Sequence, residues 1–161
     1  MTFDSRSFRD TLGAFATGVT VITARSERGD DVGITVNSFS AVSLEPPLVL
    51  WSLGRDAQSF DSFVAAEHFV IHVLAEDQQA LSNHFATKSN DKFAGLALER
   101  GDTGIALLQG CAARFDCKTA FRYEGGDHVI IVGEVFHIEN TALPPLVFHR
   151  GSYCRLVNDC R

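Results

Sequence analysis

The hydrophobic positions of the chain repeat with two different periods, and the changes between them mark out its elements. Phe8, Leu12 and Phe15 recur at helical spacing with Arg9, Asp10 and Thr11 off the stripe, so a short helix is predicted over 8–15, ended near Gly18. Residues 19–24 (VTVITA) are β-branched, a polar turn occupies 27–31, and 32–38 (VGITVNS) resumes the β pattern; the two runs predict a hairpin. After 39–44, Pro46 and Pro47 fix a stiff corner, and 48–53 (LVLWSL) reads as a buried strand. Residues 59–66 are predicted helical with Phe60 and Phe63 inward, 69–74 (FVIHVL) extended, and 77–86 helical with Ala80, Leu81 and Phe85 on one side. A polar loop spans 88–93, and 95–98 shows no clear period. Residues 112–118 alternate and 119–124 can continue them; Gly125-Gly126-Asp127 signals a turn, and 129–138 (VIIVGEVFHI) is a long strand. Residues 146–149 and 153–157 close the chain as a hairpin or as extended ends.

This pattern predicts six to eight antiparallel strands and two or three short helices. Strands do not alternate with long helices, and no GxGxxG follows the first strand, so a dinucleotide-binding parallel sheet is disfavoured. A mainly β fold with short helices, closed or partly closed into a barrel, is expected instead. No repeat, linker or low-complexity segment interrupts the chain, which reads as one complete domain over 1–161.

Composition narrows the function. A chain of 161 residues with 45% hydrophobic and 21% charged residues can bury a core and is not disordered. The net charge of -6 argues against a nucleic-acid surface. The first ten residues carry Arg6, Arg9 and two aspartates without an apolar run, so no secretory signal is read there. No apolar stretch approaches the roughly 20 residues of a membrane span, and a cytoplasmic protein is expected. Cys111, Cys117, Cys154 and Cys160 lie in the last third without CxxC spacing and are read as reduced thiols. His68, His72 and His137 lack ligand spacing and HEXXH is absent, so no metal is expected.

Five segments, in order, carry a resemblance: VGITVNSFSAVSLEPPLVLWSL (32–53), FVIHVLAEDQQALSNHFA (69–86), KSNDKFAG (88–95), GGDHVIIVGEV (125–135) and PPLVFHRGSY (144–153). Together they resemble the flavin reductases that supply reduced flavin to two-component monooxygenases, over nearly the whole chain from about residue 8 to residue 157. The resemblance implies an FMN-binding split barrel: a six-stranded antiparallel Greek-key barrel with flanking helices. It further implies a homodimer with flavin sites at or near the interface, FMN or FAD and NADH or NADPH as the reacting molecules, and a monooxygenase receiving the product.

The same resemblance assigns the site. Thr35, Val36, Asn37 and Ser38, at a strand end, offer small polar side chains and backbone N–H groups to the flavin's hydroxyls, phosphate and ring edge. Ala41, Val42 and Ser43 line the ring, with Ser52 and Leu53 beside them. The other reading of Asn37, Ser38, Ser40 and Ser43 is that they satisfy turn backbone. Ser59, at a helix start, is assigned to the phosphate, since N-terminal N–H groups form an anion site; an ordinary N-cap is the competing reading. Lys92, in a loop with Lys88 and beside His84, is assigned to phosphate or to reduced flavin, and Phe85 to shielding the ring, each against a surface or core reading. His128, in Gly126-Asp127-His128, is linked to NAD(P)H binding and is assigned as the catalytic-site residue, positioning rather than exchanging protons. Tyr153 is carried over as a pocket residue, and Arg150 is considered for the nicotinamide nucleotide. Two rivals share such a barrel: a pyridoxamine-phosphate-oxidase-like enzyme, for which a basic phosphate cluster is missing, and a non-catalytic flavin-binding or redox-sensing module.

Overall fold

The computed structural model describes residues 2–89 and 91–157; Cys160 lies outside them. The chain forms helix α1 (Ser5–Leu12), strands β1 (Thr17–Gly18), β2 (Thr20–Arg25), β3 (Asp31–Val36), β4 (Ser40–Leu44) and β5 (Pro47–Gly54), helix α2 (Phe60–Ala65) and strand β6 (His68–Val73). Helix α3 (Gln79–Ala86), short strands β7 (Glu99–Arg100) and β8 (Ala106–Leu107), long strands β9 (Ala113–Gly125) and β10 (His128–Asn140), and strands β11 (Val147–His149) and β12 (Ser152–Cys154) follow.

Seven strands form one antiparallel sheet in the order β3-β2-β6-β9-β10-β5-β4. Its two edges, β3 and β4, are consecutive in sequence and joined only by residues 37–39. Laid flat, seven strands would hold their edges about 29 Å apart. The three linking residues bridge at most about 15 Å. The sheet must therefore curl until its edges approach, which is the split barrel. It carries one strand more than the six expected, because 40–44 pairs along β5 as an edge strand.

The side chains alternate as a curled sheet requires. In β5, Val49, Trp51 and Leu53 point into the barrel, while Leu50, Ser52 and Gly54 point out. Trp51 meets Phe63 and Phe69 edge-on, and with Ile22, Ile71 and Ile131 they form the main core. A second core packs α3 and β8 against the sheet through Val21, Leu74, Phe85, Phe93, Leu108 and Leu146.

Several predicted elements shift. The first helix stops at Leu12, where Gly13 caps it by donating to the Arg9 carbonyl; Gly18 instead lies in β1, paired with Val147 of β11. Asp4, accepting from the Ser7 N–H at 2.7 Å, caps its start. The stripe of Phe8, Leu12 and Phe15 is exposed in the single chain. Helix α3 begins at Gln79, and its buried face is Ser82 and Phe85 with Leu81 half-buried, while Ala80 is exposed. The closing hairpin exists and ends at Cys154. Among the described residues no helix is long and apolar enough to cross a membrane.

Candidate functional site

The assigned residues fall into three groups. The first lies where β5 and β10 pair at one end of the barrel. His128 opens β10 opposite Gly54, and Ile130 stands opposite Ser52, so His128, Ile130 and Ser52 share the outer face of the sheet. Asp127 Oδ1 lies 2.7 Å from His128 Nδ1, and this contact draws the Asp127 carboxyl below its ordinary pKa. His128 Nε2 faces the bare Cα of Gly54: a Cβ there would stand 3.6 Å from Nε2 and 3.0 Å from Asp56 Oδ1. The link 37–39 is tied to the same strand, because Ser38 Oγ accepts from the Ser52 N–H at 2.9 Å and lies 3.2 Å from the Ser52 carbonyl. Ser38 thus satisfies backbone of strand β5 rather than of a turn, and its neighbour Asn37 is exposed. Ala41 and Val42 are exposed on the edge strand and Ser43 is half-buried there. Leu53 points into the core, leaving only its backbone to the outer face.

The second group lines a cavity of about 600 Å³ between β3, the start of α2 and the 88–93 loop. Ser26, Ser59, Ser62 and Ser89 bring hydroxyls to it, Lys92 an ammonium, and Asp30, Asp31 and Asp91 carboxylates. Ser59 sits at the N-cap position of α2, but its side chain makes no capping bond to the helix. Lys92 is not a free surface cation. Its Nζ donates to the carbonyls of Phe85 at 2.8 Å and Gly33 at 3.1 Å, and partial burial lowers its pKa. It therefore ties the loop to β3 and α3.

The third group is structural where it touches α3. Thr35 Oγ1 donates to the Ser82 carbonyl at 2.7 Å; Tyr153 Oη lies 2.8 Å from Ser82 Oγ and donates to Asn83 Oδ1 at 2.9 Å. Phe85 has no exposed surface and packs edge-on against Phe93, over Gly33. Its ring offers no face for stacking, so the shielding role assigned to it is replaced by core packing. Val36 is half-buried against the main core. Arg150 lies at a positive φ of 47° in the β11–β12 turn, its N–H donating to the Gly13 carbonyl.

Sequence reasoning passed over Gln58, Ser62 and Ser89, which line the cavity, and gave no role to Arg55 or Asp127. Only Asp127 left a local signal, as the residue beside the singled-out histidine. Among the thiols, burial pushes Cys111 up to about 11 and Cys117 up to about 12, so neither is a nucleophile near neutral pH.

A curled antiparallel sheet, a polar cavity beside β3 and a carboxylate-held histidine at a strand start define a split-barrel protein. The chain belongs to the flavin reductase family, since the flavin reductase like domain matches residues 12–157. It is similar to the FMN reductase (NADH) SmoA of Agrobacterium fabrum, 47% identical over 152 residues that cover 94% of this chain and 86% of that one. It is also similar to the reductase component of the flavin-dependent trigonelline monooxygenase of Acinetobacter baylyi, 40% identical across 92% of this chain. There the chain spans about half, 48%, of its relative's length. Among solved structures, the NADH:FAD oxidoreductase of Streptomyces globisporus, in complex with NAD and FAD fragments, superposes with a TM-score of 0.92 at 36% identity, covering 98% of this chain and 96% of that one.

Proposed function

We propose that this protein reduces FMN or FAD with NADH or NADPH and releases the reduced flavin to a separate flavin-dependent monooxygenase. The names of two relatives specify NADH, which favours it as the donor. The observation that carries the reading is the pairing of His128 with Gly54, which sets an imidazole nitrogen, an open glycine and the Ser38–Ser52 junction on one outer face.

The donor set fits the ligands. Ser59 and Ser62 at the start of α2 suit a phosphate held on that side of the cavity, away from Asp30, Asp31 and Asp91 that line it too, and the 37–38 and 52–54 backbone suits the polar edge of a flat ring. The flavin supplies an acceptor for the hydride at N5, and the nicotinamide supplies it from C4. The protein's part is to hold the two planes about 3.5 Å apart and to exclude water, which needs orientation rather than a strong base. His128 orients the nicotinamide through Nε2; Ser59 and Asn37 hold the flavin; Lys92 keeps the loop against β3.

The working form is proposed to be a homodimer. Phe121 and Tyr123 stack on the outer face of β9 at about half exposure, near Ile130 and His128. A second copy covering these rings would also close the flavin site against water. Use of NADH, together with the three cysteines of the described residues, all unpaired, supports a cytoplasmic location.

The test is anaerobic mixing of the purified protein with NADH or NADPH and FMN or FAD in all four pairs. Bleaching of oxidised flavin over many equivalents is expected. Flavin binding without bleaching would instead mark a storage or sensing module.

A further inference from the structure

Arg55, the first residue beyond β5, grips the β9–β10 turn by three separate contacts and is backed by a fourth from α2. Its main-chain N–H donates to the Asp127 carbonyl at 3.0 Å, and its Nε donates to the Gly126 carbonyl at 3.2 Å. Its guanidinium pairs with Glu124, and Cζ stands 5.7 Å from the centre of the Phe60 ring, which backs it from α2. Beyond the strand pairing that closes it, no other side chain outside the hairpin is seen to hold the turn among the described residues. Residues 121–128 are all exposed, the β9–β10 ladder ends at Gly125 and His128, and Gly126 adopts a φ of +75° with nothing within 4 Å of the position a Cβ would take. A glycine-rich, uncovered turn of this kind samples many conformations unless side chains from elsewhere hold it.

The peptide that Arg55 holds is the one leading into His128. Arg55 fixes the Asp127 carbonyl, Asp127 fixes His128 Nδ1, and Nε2 is left over Gly54. We infer that Arg55 is a positioning residue for the reductase reaction, placing the His128 imidazole for the nicotinamide while touching no reacting atom itself. The inference rests on the proposed role of His128. A fork is needed for the side-chain share of this grip: Nε holds the Gly126 carbonyl while a terminal nitrogen pairs with Glu124, which a lysine ammonium cannot reproduce, whereas the backbone N–H bond to Asp127 is kept in any variant but proline.

The experiment is a double-mutant cycle on the full chain, reading the KM for NADH, kcat at saturating NADH and the flavin Kd. Arg55→Ala is expected to raise KM roughly 3–10-fold, the size of one or two weakened hydrogen bonds, with flavin Kd unchanged. Arg55→Lys keeps the Glu124 pair and the fold, and is expected to show most of that rise. In a His128→Ala background either substitution should add nothing to KM. A rise of equal size in both backgrounds, or a lowered melting temperature with wild-type KM, would overturn the role given to Arg55. If His128→Ala itself leaves KM unchanged, the reading of His128 fails first and the inference falls with it, an outcome distinct from the other two.

Discussion

Asp127 engages His128 through Nδ1 at 2.7 Å, and Nε2 is therefore the nitrogen presented over Gly54. His128→Ala removes that nitrogen and is expected to raise the KM for NADH about tenfold, the equivalent of one good hydrogen bond, with flavin affinity held. Asp127→Ala leaves the ring but frees it to rotate, so a smaller rise of about threefold is expected. Steady-state kinetics beside flavin titration decides the matter; a parallel loss of flavin affinity would mean that His128 belongs to the flavin and not to the nicotinamide.

Ser59 separates two properties that a helix-start serine usually joins. Its side chain caps nothing in α2, yet it lines the cavity. Ser59→Ala should leave the melting temperature near that of the parent while weakening flavin binding by about 1–3 kcal/mol. The same loss is expected for Asn37→Ala, whose side chain is exposed beside the Ser38–Ser52 junction. A flavin Kd indifferent to both changes removes these residues from the site.

What the sequence disclosed follows the range of the interactions involved. β-Branched and apolar runs located β2, β3, β5 and β6 to within about two residues, since β propensity is written locally. The edge strand β4 escaped because Ser40, Ala41 and Ser43 carry little hydrophobic signal. Helix α1 lies three residues earlier than the stripe suggests, because Phe15 continues the stripe past the cap at Gly13 and the Asp4 N-cap starts the helix ahead of Phe8. In the site, His128 and Ser59 were legible from segments whose order resembles the family. The true occupations of Phe85 and Lys92 were not, for both depend on Gly33, more than fifty residues away, approaching them closely. The grip of Arg55 on the 124–127 turn is equally non-local.

Gly33 and Lys92 should consequently behave as structural residues. A Cβ on Gly33 would meet Phe85 Cε1 at 2.5 Å, and Phe85 has no room to retreat. Gly33→Ala is expected to cost about 1–3 kcal/mol by overpacking. Lys92→Met leaves the Gly33 and Phe85 carbonyls without their donor and should cost about 1–3 kcal/mol as well. Denaturant melts of both variants check this; a Lys92→Met protein as stable as its parent but with impaired flavin binding would restore the direct phosphate role.

His72 makes stability depend on acid. Fully buried in β6, it donates from Nδ1 to the Val21 carbonyl and accepts the Leu108 N–H at Nε2, each at 3.2 Å, which defines a neutral imidazole. Burial, opposed by the Val21 bond and assisted by the charge of Arg114, lowers its pKa from 6.5 to about 4. Arg114 is itself paired with Asp116 and Glu139, which temper its effect. Between these two values the unfolded chain binds a proton that the folded chain refuses. Stability from this residue is thus complete above pH 6.5 and falls as the pH drops toward 4, by about 3 kcal/mol in all. Protonation of Nε2 would also set its hydrogen against that of Leu108 and break the bond that ties the residue after β8 to β6. Urea melts at successive pH values should show this slope in the parent protein and a flatter one in His72→Gln, whose side chain does not titrate; identical slopes would assign the acid sensitivity to other groups.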